Sequence, residues 1–173
     1  MIESVNPATG STLATFDEFN SQQIEDAIAS AHLAWKEWSR TPLSERGQAM
    51  HRVASYLREN KPRYSRLITL EMGKPLVEAE GEIEKCAWAC DFFADNAERF
   101  LSPERVKSNA TESYIAFEPL GVLLAIMPWN FPFWQVFRFA APGMMAGNTA
   151  LLKHASNVPQ CSLAIEEAFR DGG

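Results

Sequence analysis

Gly121-Val122-Leu123-Leu124-Ala125-Ile126-Met127-Pro128-Trp129-Asn130-Phe131-Pro132 is the stretch that sets the fold class of this 173-residue chain. Six apolar residues, Val122 to Met127, follow a glycine and stop at a proline, which is the length and composition of a fully buried strand. Pro128 and Pro132 stiffen the corner that follows, and a helix is expected over roughly 133–146. A second buried strand is expected from Thr149 to Lys153, and an amphipathic helix from about 159 to 170. Strand, helix, strand, helix with short joints is a βαβ unit. Its two strands should be parallel neighbours joined by a right-handed crossover. In open α/β sheets ligands bind at the carboxyl ends of the strands, and Met127 to Pro132 occupies that place.

Upstream the period is helical. A first helix is expected after an Asn20 cap, with Ile24, Ile28, Ala31, Trp35 and Trp38 on one inward stripe. A second begins at Thr41-Pro42, read as cap and first-turn proline, and buries Leu43, Met50, Val53, Ala54 and Leu57. Pro62 opens a shorter third helix that stops at Gly73, before Pro75. The fourth, about 76–100, turns Ile83, Ala87, Cys90, Ala94 and Ala97 inward. Glu78, Glu80, Glu82 and Glu84 alternate along it and read as a solvated face, since alternate residues of a helix do not meet. Glu112 to Phe117 reads as a short strand.

With 16 basic and 22 acidic residues the net charge is −6, which argues against nucleic acid as the main partner. The run from Pro119 to Phe137 carries no charge and is long enough to raise a membrane helix. Its prolines, glycine and asparagine would leave broken backbone unsatisfied in lipid, so it reads as buried core. The N-terminus shows neither a basic nor an apolar leader segment. Cys86, Cys90 and Cys161 are an odd, unframeworked set, which suits reduced thiols and a cytoplasmic location. All three read as small buried hydrophobes. His32, His51 and His154 lack metal-ligand spacing, so no metal is expected.

Asn130 has two readings. It caps the helix that follows, or it is a fixed side-chain donor aimed at a developing oxyanion. Around it, several pieces together resemble the NAD(P)-dependent aldehyde dehydrogenases. They are Val5-Asn6-Pro7-Ala8-Thr9-Gly10, Ala34-Trp35 with Trp38, and Glu71-Met72-Gly73-Lys74-Pro75. Glu118-Pro119-Leu120-Gly121-Val122, Pro128-Trp129-Asn130-Phe131-Pro132, and Ala146-Gly147-Asn148-Thr149 followed by Lys153 complete the set. The resemblance runs over essentially the whole chain, and is nearest to the succinate-semialdehyde dehydrogenases.

That resemblance implies an α/β fold. N-terminal helices would precede the first βαβα units of an aldehyde-dehydrogenase-type, Rossmann-like cofactor domain, left incomplete. Residues 1–110 would be the helical part, 111–118 a strand of the oligomerisation extension, and 119–173 the start of the NAD(P)-binding sheet. It also implies the chemistry. A cysteine thiolate attacks an aldehyde, Asn130 and a backbone N–H hold the resulting oxyanion, and hydride passes to the nicotinamide. A glutamate-activated water then hydrolyses the thioester. The backbone of Ile126, Met127, Pro128 and Trp129 would lie along the cofactor, with Lys153 at the adenosine ribose. The family's nucleophilic cysteine, general-base glutamate and pyrophosphate turn fall beyond Gly173. These residues therefore read as the front part of a longer, homo-oligomeric enzyme, inactive by themselves. The alternative is a truncated non-catalytic paralogue that binds nucleotide or docks on a full-length partner.

Two further positions bear on specificity. Ser156, three residues after Lys153, stands where NAD-preferring relatives often carry glutamate, so NADP is expected to be accepted and preferred over NAD. Its other reading is a helix cap. Arg138 is the one charge within a long apolar segment and is expected to be paired. Eight residues after Asn130, it resembles the arginine with which succinate-semialdehyde dehydrogenases hold the substrate's free carboxylate, with Trp134 as a tunnel wall. A short aldehyde with a distal carboxylate, succinate semialdehyde foremost, is the expected substrate.

Overall fold

The computed structural model describes all 173 residues. It opens with an antiparallel hairpin of β1 (Ile2–Val5) and β2 (Thr12–Phe16), which the helical period did not announce. Its connection is an Asx turn. Asn6 Oδ1 accepts from Ala8 N at 2.9 Å, and Gly10 closes the loop at φ +73°. Four helices follow: α1 (Ser21–Trp38), α2 (Leu43–Glu59), α3 (Lys61–Met72) and α4 (Leu76–Leu101). A two-residue ribbon, β3 (Glu104–Arg105) with β4 (Tyr114–Ile115), precedes β5 (Val122–Met127), α5 (Trp134–Met145), β6 (Thr149–His154) and α6 (Pro159–Gly172).

β5 and β6 pair in parallel with β5 first, as the βαβ reading requires, in a register that sets Ile126 beside Lys153 and Met127 beside His154. The core lies between α2, α3, α4, α5 and α6, where Met50, Leu57, Tyr64, Ile68, Ile83, Phe133 and Phe137 are buried. Asn148 ties the unit together. Its Oδ1 accepts from Gly121 N and its Nδ2 donates to Gly143 O, each at 3.0 Å, so it links the start of β5 to the end of α5.

Several expectations need correction. The inward stripe of α1 is not buried: the helix has no buried residue, and Ile24 and Ile28 are 48% and 43% exposed. The Asn20 cap does form, as a capping box with Gln23. α1 is anchored at its C-terminal half, where Thr149 Oγ1 donates to Ala31 O and Trp38 Nε1 to Met144 O. β5 is likewise covered on one face only. Ala125 is buried against the helical core, but Leu124 and Ile126, on the opposite face, are 66% and 69% exposed, because α1 meets that face only at the amino end of β6, where Thr149 holds Ala31 O. α2 starts at Leu43 with Pro42 at the cap position, and Thr41 Oγ1 bonds back to Glu37 O instead. The strand expected over Glu112–Phe117 shortens to Tyr114–Ile115, whose side chains are exposed on both faces. No helix is long and apolar enough to cross a membrane.

Candidate functional site

The corner between β5 and α5 is assembled from below by residues of α4 and of the joint between α3 and α4. Gly73 ends α3 in the left-handed region at φ +83°, a conformation that costs glycine nothing, and so turns Lys74 inward. Lys74 and Glu82 form an ion pair whose side chains are 5% and 1% exposed. The Lys74 ammonium also lies 3.6 Å from the centroid of the Phe131 ring, a cation–π contact within the corner itself. Glu82 therefore departs from the solvated face expected of its helix. Glu78 and Glu80 are exposed and Glu84 pairs with Arg58 and Lys61 at the surface, but Glu82 points into the core.

The other Glu82 oxygen accepts from Phe133 N and Trp134 N at 2.9 and 3.0 Å, which satisfies the free N–H groups of the first turn of α5. Glu71 does the same for α6. Its two oxygens accept from Gln160 N at 2.8 Å and Cys161 N at 2.7 Å, while Ser4 Oγ donates to it at 2.6 Å and ties down the N-terminal hairpin. Both helix starts are thus capped by carboxylates distant in sequence, and neither has a local side-chain cap. This removes the capping reading for Asn130 and for Ser156. Both side chains are exposed at the carboxyl edge of the sheet.

His154, the last residue of β6, completes the corner. Its ring is buried, with Nε2 2.9 Å from Pro132 O and Nδ1 2.8 Å from Ala155 N. An amide N–H can only donate, so Nδ1 is the acceptor and Nε2 carries the proton that Pro132 O receives. Burial pushes the histidine below its ordinary pKa and keeps the ring neutral, which this arrangement needs.

The structure brings the sequence candidates to one edge. Ile126 and Lys153 are register partners whose side chains share the open face of the sheet, and Ser156 follows on the loop after β6. Pro128, Trp129 and Asn130 project from the corner beyond Met127, and Trp129 is 49% exposed. An ammonium and a hydroxyl, both in solvent beside an apolar strand face, are donors suited to a ribose or phosphate group. Arg138 is exposed, contrary to the expected buried pair. The inward face of α5 is taken by Val136, Phe137, Ala140 and Ala141, which leaves Arg138 on the outer side. None of the chain's ion pairs includes Arg138 or Lys153. Trp134, one turn before Arg138, is half-buried with the Lys85 ammonium 4.1 Å from its ring centroid.

No nucleophile accompanies these groups. Cys86, Cys90 and Cys161 are buried and unpaired, and burial drives their thiols upward, Cys90 to about 12. No three side chains of metal-ligating type come together. Four residues escaped the sequence reading of the site: Glu71, Lys74, Glu82 and His154. The first two lie inside Glu71-Met72-Gly73-Lys74-Pro75, where two charges flank a helix-ending glycine; that was the available signal. Nothing in the sequence separates Glu82 from its exposed neighbours.

The profile of the aldehyde dehydrogenase family matches residues 1–173. A probable NADP-dependent succinate-semialdehyde dehydrogenase of Synechocystis is 49% identical over 172 residues, which are 99% of this chain and 38% of that protein. Succinate-semialdehyde dehydrogenase 1 of Mycobacterium tuberculosis, also named for NADP, is 43% identical, again over 99% and 38%. The solved succinic semialdehyde dehydrogenase of Streptococcus pyogenes, in complex with NADP+, superposes with a TM-score of 0.96 at 36% identity. It is matched over all of this chain and 38% of its own. The chain spans little more than a third of the length of the relatives it matches. Over that span both sequence and overall fold agree, and the chain belongs to the aldehyde dehydrogenase family.

Proposed function

We propose that this chain is the N-terminal portion of an enzyme that oxidises succinate semialdehyde to succinate with NADP. The carrying observation is that neither Asn130 nor Ser156 caps a helix, since Glu82 and Glu71 take that duty, and that both stand exposed at the carboxyl edge of the sheet, as Lys153 does. Asn130 donates its amide N–H to the oxyanion that forms when a thiolate adds to the aldehyde, a charge absent from the ground state. Lys153 and Ser156 hold the adenosine ribose and its 2′-phosphate, while the backbone from Ile126 to Trp129 forms one wall of the cofactor cleft. The cofactor, when bound, supplies the hydride acceptor. The nucleophile and the water-activating base lie in the larger remainder that the relatives possess. Tyr114 and Ile115 on the β3–β4 ribbon, and Phe117 just after it, are exposed and suit the homo-oligomer expected of the whole enzyme.

Arg138 selects the substrate. Its guanidinium has no carboxylate of its own chain and presents a bidentate fork to the far end of a dicarboxylic semialdehyde, beside the wall made by Trp134. The decisive experiment is the Arg138→Ala change in the full-length enzyme that carries this chain. Losing a charge-assisted pair of about 1.5–3 kcal/mol should raise the KM for succinate semialdehyde about 10- to 100-fold. The KM for an uncharged aldehyde of similar length should stay constant. An unchanged KM for succinate semialdehyde would refute the substrate assignment.

Cofactor choice is tested separately. Ser156→Glu places a carboxylate against the 2′-phosphate, and like-charge juxtaposition disfavours it strongly. The ratio of kcat/KM for NADP over NAD should fall by about tenfold or more. A Ser156→Glu enzyme that still favours NADP as strongly as the parent removes Ser156 from the cofactor site.

A further inference from the structure

We propose that His154 is a positioning residue, which holds the Trp129–Pro132 corner in register with the cofactor strand so that the Asn130 amide meets the oxyanion. The inference rests on the reading of Asn130 as the oxyanion donor and adds to it the group that fixes its place. Asn130 is exposed, and Pro132, two residues on, is where its loop is fastened from the β6 side. The fastening is one imidazole with both nitrogens engaged: Nδ1 is locked by Ala155 N in its own strand end, and Nε2 reaches across to Pro132 O.

The ring therefore has one usable orientation and one usable tautomer. Because Lys153 precedes it directly, the same residue pair ends β6 with one side chain directed to the cofactor face and the next directed to the oxyanion loop. A second clamp on the corner, Lys74 against Phe131 and Glu82 against Phe133 N and Trp134 N, comes from α4 and the joint before it and leaves the relation to β6 to His154. The charged groups that act on the imidazole through space are Glu71 and Glu82 and, from the opposite face of the sheet, Lys153.

Asparagine and glutamine divide the two bonds between them. The amide oxygen of Asn sits near the position of Nδ1 and can accept from Ala155 N without reaching Pro132. The longer Gln brings its amide N–H near the position of Nε2. The test is steady-state kinetics on the full-length enzyme carrying His154→Asn, His154→Gln, Asn130→Ala, and His154→Asn with Asn130→Ala. Misplacing a catalytic donor by about 1 Å costs up to about a hundredfold. His154→Asn should thus lower kcat about 10- to 100-fold with the KM for NADP within about threefold, and His154→Gln should recover most of that loss. In the Asn130→Ala background, His154→Asn should add less than about threefold, because the donor it positions is already gone.

A His154→Asn enzyme with parental kcat, or losses that multiply in the double variant, overturns the positioning role while leaving Asn130 in place. If Asn130→Ala itself leaves kcat unchanged, the oxyanion reading fails first. Nitrogen-15 NMR of the His154 ring in the unmodified enzyme provides a check that no variant's folding can disturb. A neutral ring protonated at Nε2 near pH 7 is expected, and an imidazolium or an Nδ1–H ring overturns the inference.

Discussion

Glu82→Ala is expected to destabilise the enzyme that carries this chain by about 3–5 kcal/mol, the cost of leaving one member of a buried ion pair alone. Lys74 would lose its carboxylate partner in a site where its side chain is 5% exposed, and two N–H groups at the start of α5 would lose their acceptor. Both losses follow from removing one carboxylate, so they act together. Thermal unfolding should show a melting temperature lower by several degrees, whereas Glu80→Ala, on the exposed side of the same helix, should stay within about 0.5 kcal/mol of the parent. Replacing both partners, as Lys74→Met with Glu82→Leu, should recover part of the loss, since no charge is then stranded. A Glu82→Ala enzyme as stable as the Glu80→Ala control would show that the pair is not a structural element.

Asn130→Ala should have the opposite profile. The side chain is exposed and caps nothing, so the melting temperature should not move. Removing a single oxyanion donor costs about 10²–10³ in kcat. Because the charge it meets exists only as the thiolate adds, the KM for the aldehyde should change little, which is the signature of an interaction made in the transition state. Turnover within about threefold of the parent would exclude Asn130 from the reaction.

How much of this was legible beforehand depends on the kind of force involved. The βαβ unit followed from apolar runs and their lengths, and β5, α5, β6 and α6 lie within a few residues of the expected bounds. The Asn20 cap and the glycine stop at Gly73 were also readable, because both depend on local backbone geometry. What failed concerned position relative to the rest of the protein. A periodic stripe such as Ile24 and Ile28 says that a helix has an apolar side and nothing about whether a neighbour covers it. The alternating glutamates failed for a related reason: helical spacing separates Glu82 from Glu80 by direction, but only the arrival of Lys74 and the start of α5 make that direction an interior one. Asn130, Lys153 and Ser156 are proposed from motif order, and the structure adds that Ile126 and Lys153 are register partners. His154 was passed over because a lone histidine has no spacing partner to advertise a role.

Helix starts are electropositive and ordinarily draw in any anion that comes near. In this chain both helices that begin at the carboxyl edge of the sheet already have that positive end quenched from inside, α5 by Glu82 and α6 by Glu71. An incoming phosphate or substrate carboxylate thus finds no general-purpose attraction from the backbone there. Under the proposed function, discrimination between anionic ligands falls to a handful of replaceable side chains at the rim. One such scaffold could be retuned from one cofactor or acid to another by changing Ser156 or Arg138, with the fold beneath left untouched.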